Sequence, residues 1–463
     1  MISIMQEPRI LSISNALPEL EHLVPVRKQA RLDLVRATLR HANNNTPYYR
    51  RAFAGLSLEI DGLEDIRRFP LLERKTLAAC GTDLLAEGVV PEYVGITSGT
   101  TFGNSSWEPL LHYQTETEHD AWVNLYGSMI AKGDRPLMLR LIDADRGVEV
   151  AGASPGCFSL PMESLYHYEL ILSILKREWS FPGFATRVGS LSGPLDMLQV
   201  LTLLCLEHEV DPAQLSIGLV TTSGWQLTSR WRRLLESYWG AEVQELYGLS
   251  EVPGMFAARC SRCSHYHFSP LTVMEVLQLD GDNPVERGIG RVVVTALLPL
   301  AYAQPLIRYD TQEVIEIVGE CGDHELCFEY LGRRSRLVLH DGPDGRDLML
   351  SPPMLTEVLD SIPDVAIYEN EKGKRLGVRI AFGWPRYMLR DESDEIGRRI
   401  DLTVELRWSP VHYPYAAERL RDLLLRRFFD ASPALAGAVR RDAIRFVVRL
   451  AEPGTLNSGQ PNR

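Results

Sequence analysis

The feature that most limits the fold of this chain lies between about residues 90 and 250, where short apolar runs alternate with amphipathic helical stretches. Leu137–Ile142 reads as a strand, Tyr168–Lys176 as a helix, Ile217–Thr222 as a strand and Ser229–Tyr238 as a helix. Strands that take turns with helices have both sheet faces to cover, so the pattern predicts α/β layering around a largely parallel sheet. Residues 26–80 read as helical, with breaks at Asn43–Pro47 and near Pro70, and Leu32, Leu34, Val35 and Leu39 form an apolar face. From 270 to 340 the chain is strand-rich: Val273–Leu279, Gly290–Ala296, Glu313–Val318 and Cys327–Leu331. Beyond Gly332-Arg333-Arg334-Ser335-Arg336 come a helix (Pro353–Ser361), strands (Val365–Tyr368, Gly377–Phe382, Asp401–Trp408), a helix (Ala416–Phe429) and a last strand (Ala443–Leu450). The expected fold class is α/β. A large N-terminal domain of layered sheets and helices (1–335) precedes a small α+β C-terminal domain (336–451) and a flexible tail (452–463).

Composition narrows the function. At 45% hydrophobic and 24% charged, the chain has too many apolar residues to be disordered. Its 61 acidic residues against 49 basic ones give a net charge of −12. A field of that sign repels phosphate backbones and anionic lipid, so neither nucleic acid nor a membrane is an expected partner. The apolar stretch Val292–Ile307, broken by Pro299 and Pro305, reads as strand, turn and second strand. It is shorter than the roughly 20 residues a membrane span needs. Residues 1–23 lack the layout of a secretion signal. Seven cysteines, an odd number spread along the chain, argue for reduced thiols and a cytoplasmic protein.

Two clusters carry chemistry. Thr97-Ser98-Gly99-Thr100-Thr101 surrounds a glycine with hydroxyls. Glycine lets backbone N–H groups turn toward an anion and the hydroxyls add donors, as a loop wrapping nucleotide phosphates requires. The Gly-Lys-Ser/Thr ending of a P-loop is absent, and read alone the segment is equally a polar surface turn. Cys260 and Cys263, then His267, then Cys321 and Cys327 form the second cluster. Four of these five suit a tetrahedral, structural Zn²⁺. The five residues between Cys321 and Cys327 exceed the usual two to four, and reduced buried cysteines are the alternative. No Gly-x-Ser-x-Gly elbow or His-Glu-x-x-His run is present.

Further short segments follow in a fixed order. They are Thr46-Pro47-Tyr48-Tyr49-Arg50-Arg51, Phe69-Pro70-Leu71-Leu72-Glu73-Arg74, Thr222-Ser223-Gly224-Trp225, Tyr247-Gly248-Leu249-Ser250-Glu251, Arg308-Tyr309-Asp310-Thr311-Gln312-Glu313, Gly332-Arg333 and Leu350-Ser351-Pro352 through Leu359. Together with Thr97–Thr101, and spanning about 46 to 361, they resemble the phenylacetate–coenzyme A ligase-like branch of the ANL superfamily of adenylate-forming enzymes. The resemblance implies that Thr97, Ser98, Gly99, Thr100 and Thr101 grip ATP phosphates, though Phe102 and Asn104 depart from the usual loop. It implies that Ser223, Gly224 and Trp225 lie along the nucleotide and acyl pocket, and that Tyr247, followed by Gly248, stacks on adenine. Glu251 would bind Mg²⁺, a hard cation suited to a carboxylate. Glu313 would accept the ribose hydroxyls, with Asp310 at a position often held by arginine, and Arg333 would meet ribose or phosphate as a fixed cationic fork. For zinc it implies Cys260, His267, Cys321 and Cys327, with Cys263 as rival to His267. It also implies a homodimer.

Two departures concern the C-terminal part. Ser335 stands where the family holds a hinge aspartate. The family's final lysine, which bridges carboxylate and α-phosphate, is replaced by Gln460 in Asn457-Ser458-Gly459-Gln460. Only six lysines occur in the chain and none after Lys374. Loss of such a charged donor costs on the order of 2.7–4 kcal/mol by analogy with oxyanion holes. Lys372 and Lys374, read as lying on a hairpin of the same domain, and Arg463 are the local substitutes. The expected function is ATP-dependent activation of a small carboxylic acid, aryl or arylacetic, with transfer to a thiol (coenzyme A or a carrier protein) or an amine. Trp122, Tyr126, Trp225 and Tyr247 are candidate substrate contacts. One alternative is the same fold reused to condense an activated acyl group without lysine-assisted adenylation. The other is a non-catalytic nucleotide- or acyl-binding relative.

Overall fold

Alternating apolar residues at 137–142, 188–194, 219–223 and 242–248 knit the parallel half of one large sheet. The computed structural model describes residues 24–96, 111–115, 118, 137–142, 156–249, 251–252, 256–260, 262–268, 272–321, 325–342, 345–394 and 397–456. Thr97–Thr101, Trp122, Tyr126, Gln460 and Arg463 lie outside the described residues. Strands β1 (Leu72–Glu73), β2 (Tyr93–Ile96), β3 (Leu111–Gln114), β4 (Leu137–Ile142), β5 (Cys157–Pro161), β6 (Val188–Pro194), β7 (Leu219–Ser223) and β8 (Glu242–Gly248) are followed by β9 (Phe256–Arg259), β10 (Tyr266–Phe268), β11 (Thr272–Leu277), β12 (Gly288–Ala296), β13 (Tyr309–Cys321) and β14 (Glu325–Arg333). The sheet order is β11-β12-β13-β14-β10-β9-β8-β7-β6-β4-β5, with β1 added on β13. From β8 to β5 neighbours pair parallel, and from β8 to β11 antiparallel.

Helices Leu165–Lys176, Leu195–Glu207 and Ser229–Trp239 cover the parallel half, where Leu139, Leu191 and Val220 pack with Ile171, Leu198 and Leu235. The helix Ser229–Trp239 starts where the Thr228 hydroxyl accepts from the Trp231 N–H. It ends at Gly240, whose φ of +61° is the left-handed cap that glycine adopts without strain. The antiparallel half buries Val292, Val294 and Ile315 against Val35 and Leu39 of helix Val24–Asn45. A third core lies beyond residue 337. Hairpin β15 (Val338–Gly342) and β16 (Gly345–Leu350), the pair β17 (Ile367–Glu369) and β18 (Gly383–Pro385), and the sheet β19 (Tyr387–Asp394), β20 (Gly397–Glu405) and β21 (Ile444–Ala451) occur here. Leu402, Val404 and Val448 of that sheet pack on Leu424 and Phe428 of helix Pro414–Ala431. Among the described residues, no helix is long and apolar enough to cross a membrane.

Three sequence expectations are corrected. Gly377–Phe382 forms no strand. Its N–H groups at Arg379 and Ile380 donate to Glu207, at 2.8 and 2.9 Å, and Phe382 enters the core beside Trp231. The apolar pattern there plugs a neighbouring core instead of pairing with a strand. Residues 297–307 run as a turn, and the second strand begins only at Tyr309. Lys372 and Lys374 lie on a short helix, Glu371–Arg375, not on a hairpin. Lys372 pairs with Glu163 at 3.0 Å, and Lys374 with Glu371 and Glu369 at 3.1 and 3.2 Å.

Candidate active site

Pairing of the two-residue strand β1 along Tyr309–Asp310 carries Arg74 and Tyr309 to the same place as Glu251. Arg74 Nη1 lies 2.5 Å from Glu251 Oε1, and the Tyr309 hydroxyl donates to the same oxygen at 3.1 Å. Arg74 also donates to the Tyr309 oxygen at 3.2 Å. All three side chains are buried. Both bonds use Oε1, so Oε2 stays outside this network.

Across β13 and β14, Glu313 and Arg333 are register partners, and Arg333 Nε meets Glu313 Oε1 at 3.2 Å. Glu313 is 2% exposed and its Oε2 is buried with no hydrogen-bond partner among the described residues. Burial pushes its carboxyl above the usual range, against the pull of Arg333 and Tyr330, and the charge of Glu251 adds to the rise. Tyr247, at the end of β8, packs its ring on Tyr330 of β14 with centroids 4.6 Å apart. Its hydroxyl is buried with no partner among the described residues. Burial, then Glu313, Tyr330 and Glu251, raise its pKa. Tyr247, Glu251, Glu313 and Arg333, distant in sequence, thus feel one another's charge. Burial and the nearby Arg333 lower the pKa of Arg336, a second cation at this cluster.

Other candidates lie differently. Ser223 ends β7 and Gly224 turns the chain at φ +81°. Trp225 stacks on Trp384, with centroids 4.7 Å apart. Gly248 closes β8 and is exposed. Arg308 is held by Glu275 at 2.8 and 3.0 Å and by the Phe69 carbonyl at 2.6 Å, while Asp310 pairs with Arg291 at 2.5 Å. Both are absorbed in buried structural contacts. Arg74, Tyr309 and Tyr330 were not singled out from the sequence. The one available signal was Arg74 closing the Phe69–Arg74 segment, one residue past the apolar Leu71-Leu72 run.

The β9–β10 hairpin presents Cys260, Cys263 and His267, and the β13–β14 hairpin presents Cys321 and Cys327. Ligand atoms of Cys260, Cys263, His267 and Cys321 all lie within 4.8 Å of one another. A tetrahedral ion with Zn–S of about 2.3 Å asks for about 3.8 Å between sulfurs, so the quartet fits with a small contraction. Cys263, the rival in the sequence reading, is inside this quartet. Cys327 stands beside it, 3.8 Å from Cys263 Sγ. Burial pushes up the Cys260 thiol, but backbone N–H groups of Cys263 and Arg262 outweigh it and bring the pKa down. Burial and the neighbouring sulfurs push Cys327 up to about 12. Glu329 braces the hairpin through His265 at 2.5 Å and Arg259 at 3.1 Å.

No protein-family model matches the chain. A phenylacetate–coenzyme A ligase of Pseudomonas putida is 23% identical over 316 residues, 64% of this chain and 67% of that protein. One from Aromatoleum evansii is 25% identical over 407 residues, 82% of this chain and 81% of that protein. Among solved structures, a 2-hydroxyisobutyryl-CoA ligase in the postadenylation state aligns over 94% of this chain and 89% of its own, with a TM-score of 0.64 and 17% identity. An acyl acid amido synthetase aligns over 98% and 91%, with a TM-score of 0.58 and 15% identity. In sequence and in fold, the chain resembles the phenylacetate–coenzyme A ligase-like branch of the adenylate-forming ANL superfamily.

Proposed function

We propose that this protein is an acyl-adenylate-forming ligase working on small molecules in the cytoplasm. A substrate carboxylate oxygen attacks the α-phosphorus of ATP and pyrophosphate leaves. An acceptor sulfur (coenzyme A or a carrier-protein thiol) or amine nitrogen then attacks the acyl carbon. AMP leaves and the acceptor proton passes to solvent. The observation that carries this reading is the convergence of half-buried Tyr247 and Arg333 with buried Glu251 and Glu313 in one cluster. The buried Glu313 Oε2 offers an acceptor for ribose hydroxyls. Tyr247 supplies a ring face for adenine, and Arg333 a cation for ribose or phosphate. Glu251 would hold Mg²⁺ through Oε2 while Arg74 and Tyr309 fix its orientation. The ion, when bound, supplies positive charge beside the phosphates. Holding nucleotide and acid together provides the positioning part of the rate enhancement. The Cys260, Cys263, His267 and Cys321 quartet would hold a structural Zn²⁺. Residues 1–335 form the nucleotide-binding domain and 336–451 the mobile one.

Gln460 favours a second reading, condensation of a preformed acyl thioester with an amine. Pyrophosphate release across a panel of carboxylic acids, with and without coenzyme A or an amine, separates the two. Acid-dependent release is expected, and Glu251→Gln lowers it about 10²–10³-fold. Amide formed from a thioester without ATP, with no pyrophosphate release, establishes the second reading in its place. Nucleotide binding with neither reaction marks a non-catalytic relative.

A further inference from the structure

Tyr247 rests on an aromatic platform built from the cysteine hairpins. Its ring centroid lies 6.3 Å from that of Tyr266 and 6.5 Å from that of Phe268, both on β10. On β14 it lies 6.5 Å from Phe328 and 4.6 Å from Tyr330. Phe268 in turn stacks on Phe328 at 4.3 Å. Register sets Tyr247 opposite Ala257 on β9, and Ala257 opposite Phe268 on β10, so Tyr247 and Phe268 share one sheet face. Strand alternation sends His267, between Tyr266 and Phe268, to the other face. There its Nε2 stands 3.2 Å from Cys263 Sγ, inside the quartet. One side of β10 therefore carries a candidate metal ligand, and the other side seats the ring assigned to adenine. The strand is three residues long and meets β14 at a single register pair, Tyr266 with Phe328. The turn before it is braced by the pairs of Glu329 with His265 and Arg259, on partly exposed groups. Pairs of that exposure add little. A tetrahedral ion that fixes His267 thus also fixes the backbone on which Tyr266 and Phe268 stand.

We infer that His267 is a positioning residue for the nucleotide: through β10, the metal-loaded quartet holds the platform that holds Tyr247 where adenine stacks. The inference rests on both the zinc and the nucleotide readings above and adds a coupling that neither contains. Without metal, β10 loosens, and the ring must be ordered at the moment adenine binds. With metal that ordering is already complete. Zinc and nucleotide therefore raise one another's affinity, and by the same factor, as linkage requires.

The test uses the full chain with AMP as the probe, and a metal buffer fixes free zinc so that chelation by the phosphate does not enter. AMP affinity is measured by calorimetry on zinc-loaded and chelator-stripped protein. Zinc affinity is measured by competition with a chromophoric chelator, with and without saturating AMP. Each ligand is expected to tighten the other by about tenfold. Should the stripped chain unfold, zinc release from the loaded chain is timed instead, and saturating AMP is expected to slow it by about the same factor. Tyr247→Phe keeps the ring and is expected to keep the coupling. Tyr247→Ala is expected to lose it, even at saturating AMP. His267→Ala is expected to bind AMP about tenfold more weakly whether or not zinc is added, and His267→Cys, again a tetrahedral ligand, to restore the coupling. Equal AMP affinity in loaded and stripped protein, or coupling that survives in Tyr247→Ala, overturns the inference and leaves both readings standing. Protein that takes up zinc and never binds AMP overturns the nucleotide reading, and protein that binds AMP and takes up no zinc overturns the zinc reading. Either result removes the inference with it.

Discussion

Glu313 is a carboxylate that the fold holds at a cost. Burial lifts its pKa above the ordinary 4.5, and Arg333 offsets only part of that. A raised folded-state pKa means the protonated form is the one folding favours. Its contribution to stability is therefore fully present below about pH 4.5 and is lost as pH rises through the folded pKa. Glu313→Gln removes this dependence. Denaturant unfolding from pH 4 to 8 should show a flatter stability profile for the variant, with stability at neutral pH equal to or above the parent. Arg333 is partly exposed and can take up water in place of its partner. The same substitution should weaken ATP binding by roughly 10–100-fold, the worth of a charged hydrogen bond. An unchanged pH profile would show that Glu313 titrates in the fold as it does in the unfolded chain, and so carries no burial penalty. Tyr247, Glu251, Glu313 and Arg333 were readable one by one, because each sits in a short local motif. That they share a location was not readable, since it depends on β8, β13 and β14 meeting in one sheet. Arg74 was missed because its partner Glu251 is 177 residues away, joined through a two-residue strand.

At the scale of elements, legibility followed periodicity. Leu137–Ile142 alternates buried and half-buried residues, and its bounds match the sequence reading. Strand β6 and helix Leu195–Glu207 were not singled out. The helix is buried nearly all round, so no contrast between its faces marks it. The cysteine hairpins show the limit of spacing arguments. Cys321 and Cys327 are equivalent by count, but the register pairing Gly319 with Cys327 and Cys321 with Glu325 staggers them along the β13–β14 ladder. Only Cys321 joins the quartet. Elemental analysis should find about one zinc per chain in the parent. Cys263→Ser should weaken metal affinity by more than about 100-fold, beyond what loss of an outer partner does. Cys327→Ser should keep the full zinc content. Retention by the first variant and loss by the second would reverse the ligand assignment.

For the whole molecule, the question is how firmly the segment after residue 336 rests on the parallel half of the sheet. The exposed Glu163–Arg375 pair at 3.0 Å is worth about 0–1 kcal/mol, while Glu207, accepting from the Arg379 and Ile380 N–H groups, and Phe382, packed beside Trp231, hold more firmly. A further contact joins two helices. Helix Pro352–Asp360 sets two carboxylates against the N-terminus of helix Ser229–Trp239, where unpaired N–H groups and the helix dipole favour negative charge. Glu357 accepts from the Ser229 N–H at 3.0 Å. Asp360, 9% exposed, accepts from the Thr228 hydroxyl at 2.6 Å and pairs with Arg230 at 3.2 Å. A buried charged hydrogen bond of this kind contributes about 1.5–3 kcal/mol, more than the exposed Glu163–Arg375 pair. Asp360→Ala should therefore populate the undocked state roughly tenfold or more. Limited proteolysis reads that population directly when reclosing outpaces cleavage, so cutting near Arg334–Arg336 should accelerate by a similar factor. Lys374→Ala serves as the control, because its partners Glu369 and Glu371 belong to its own segment. Cleavage of Asp360→Ala at the parent rate would place the docking energy elsewhere, with the Trp225–Trp384 stack the next contact to remove.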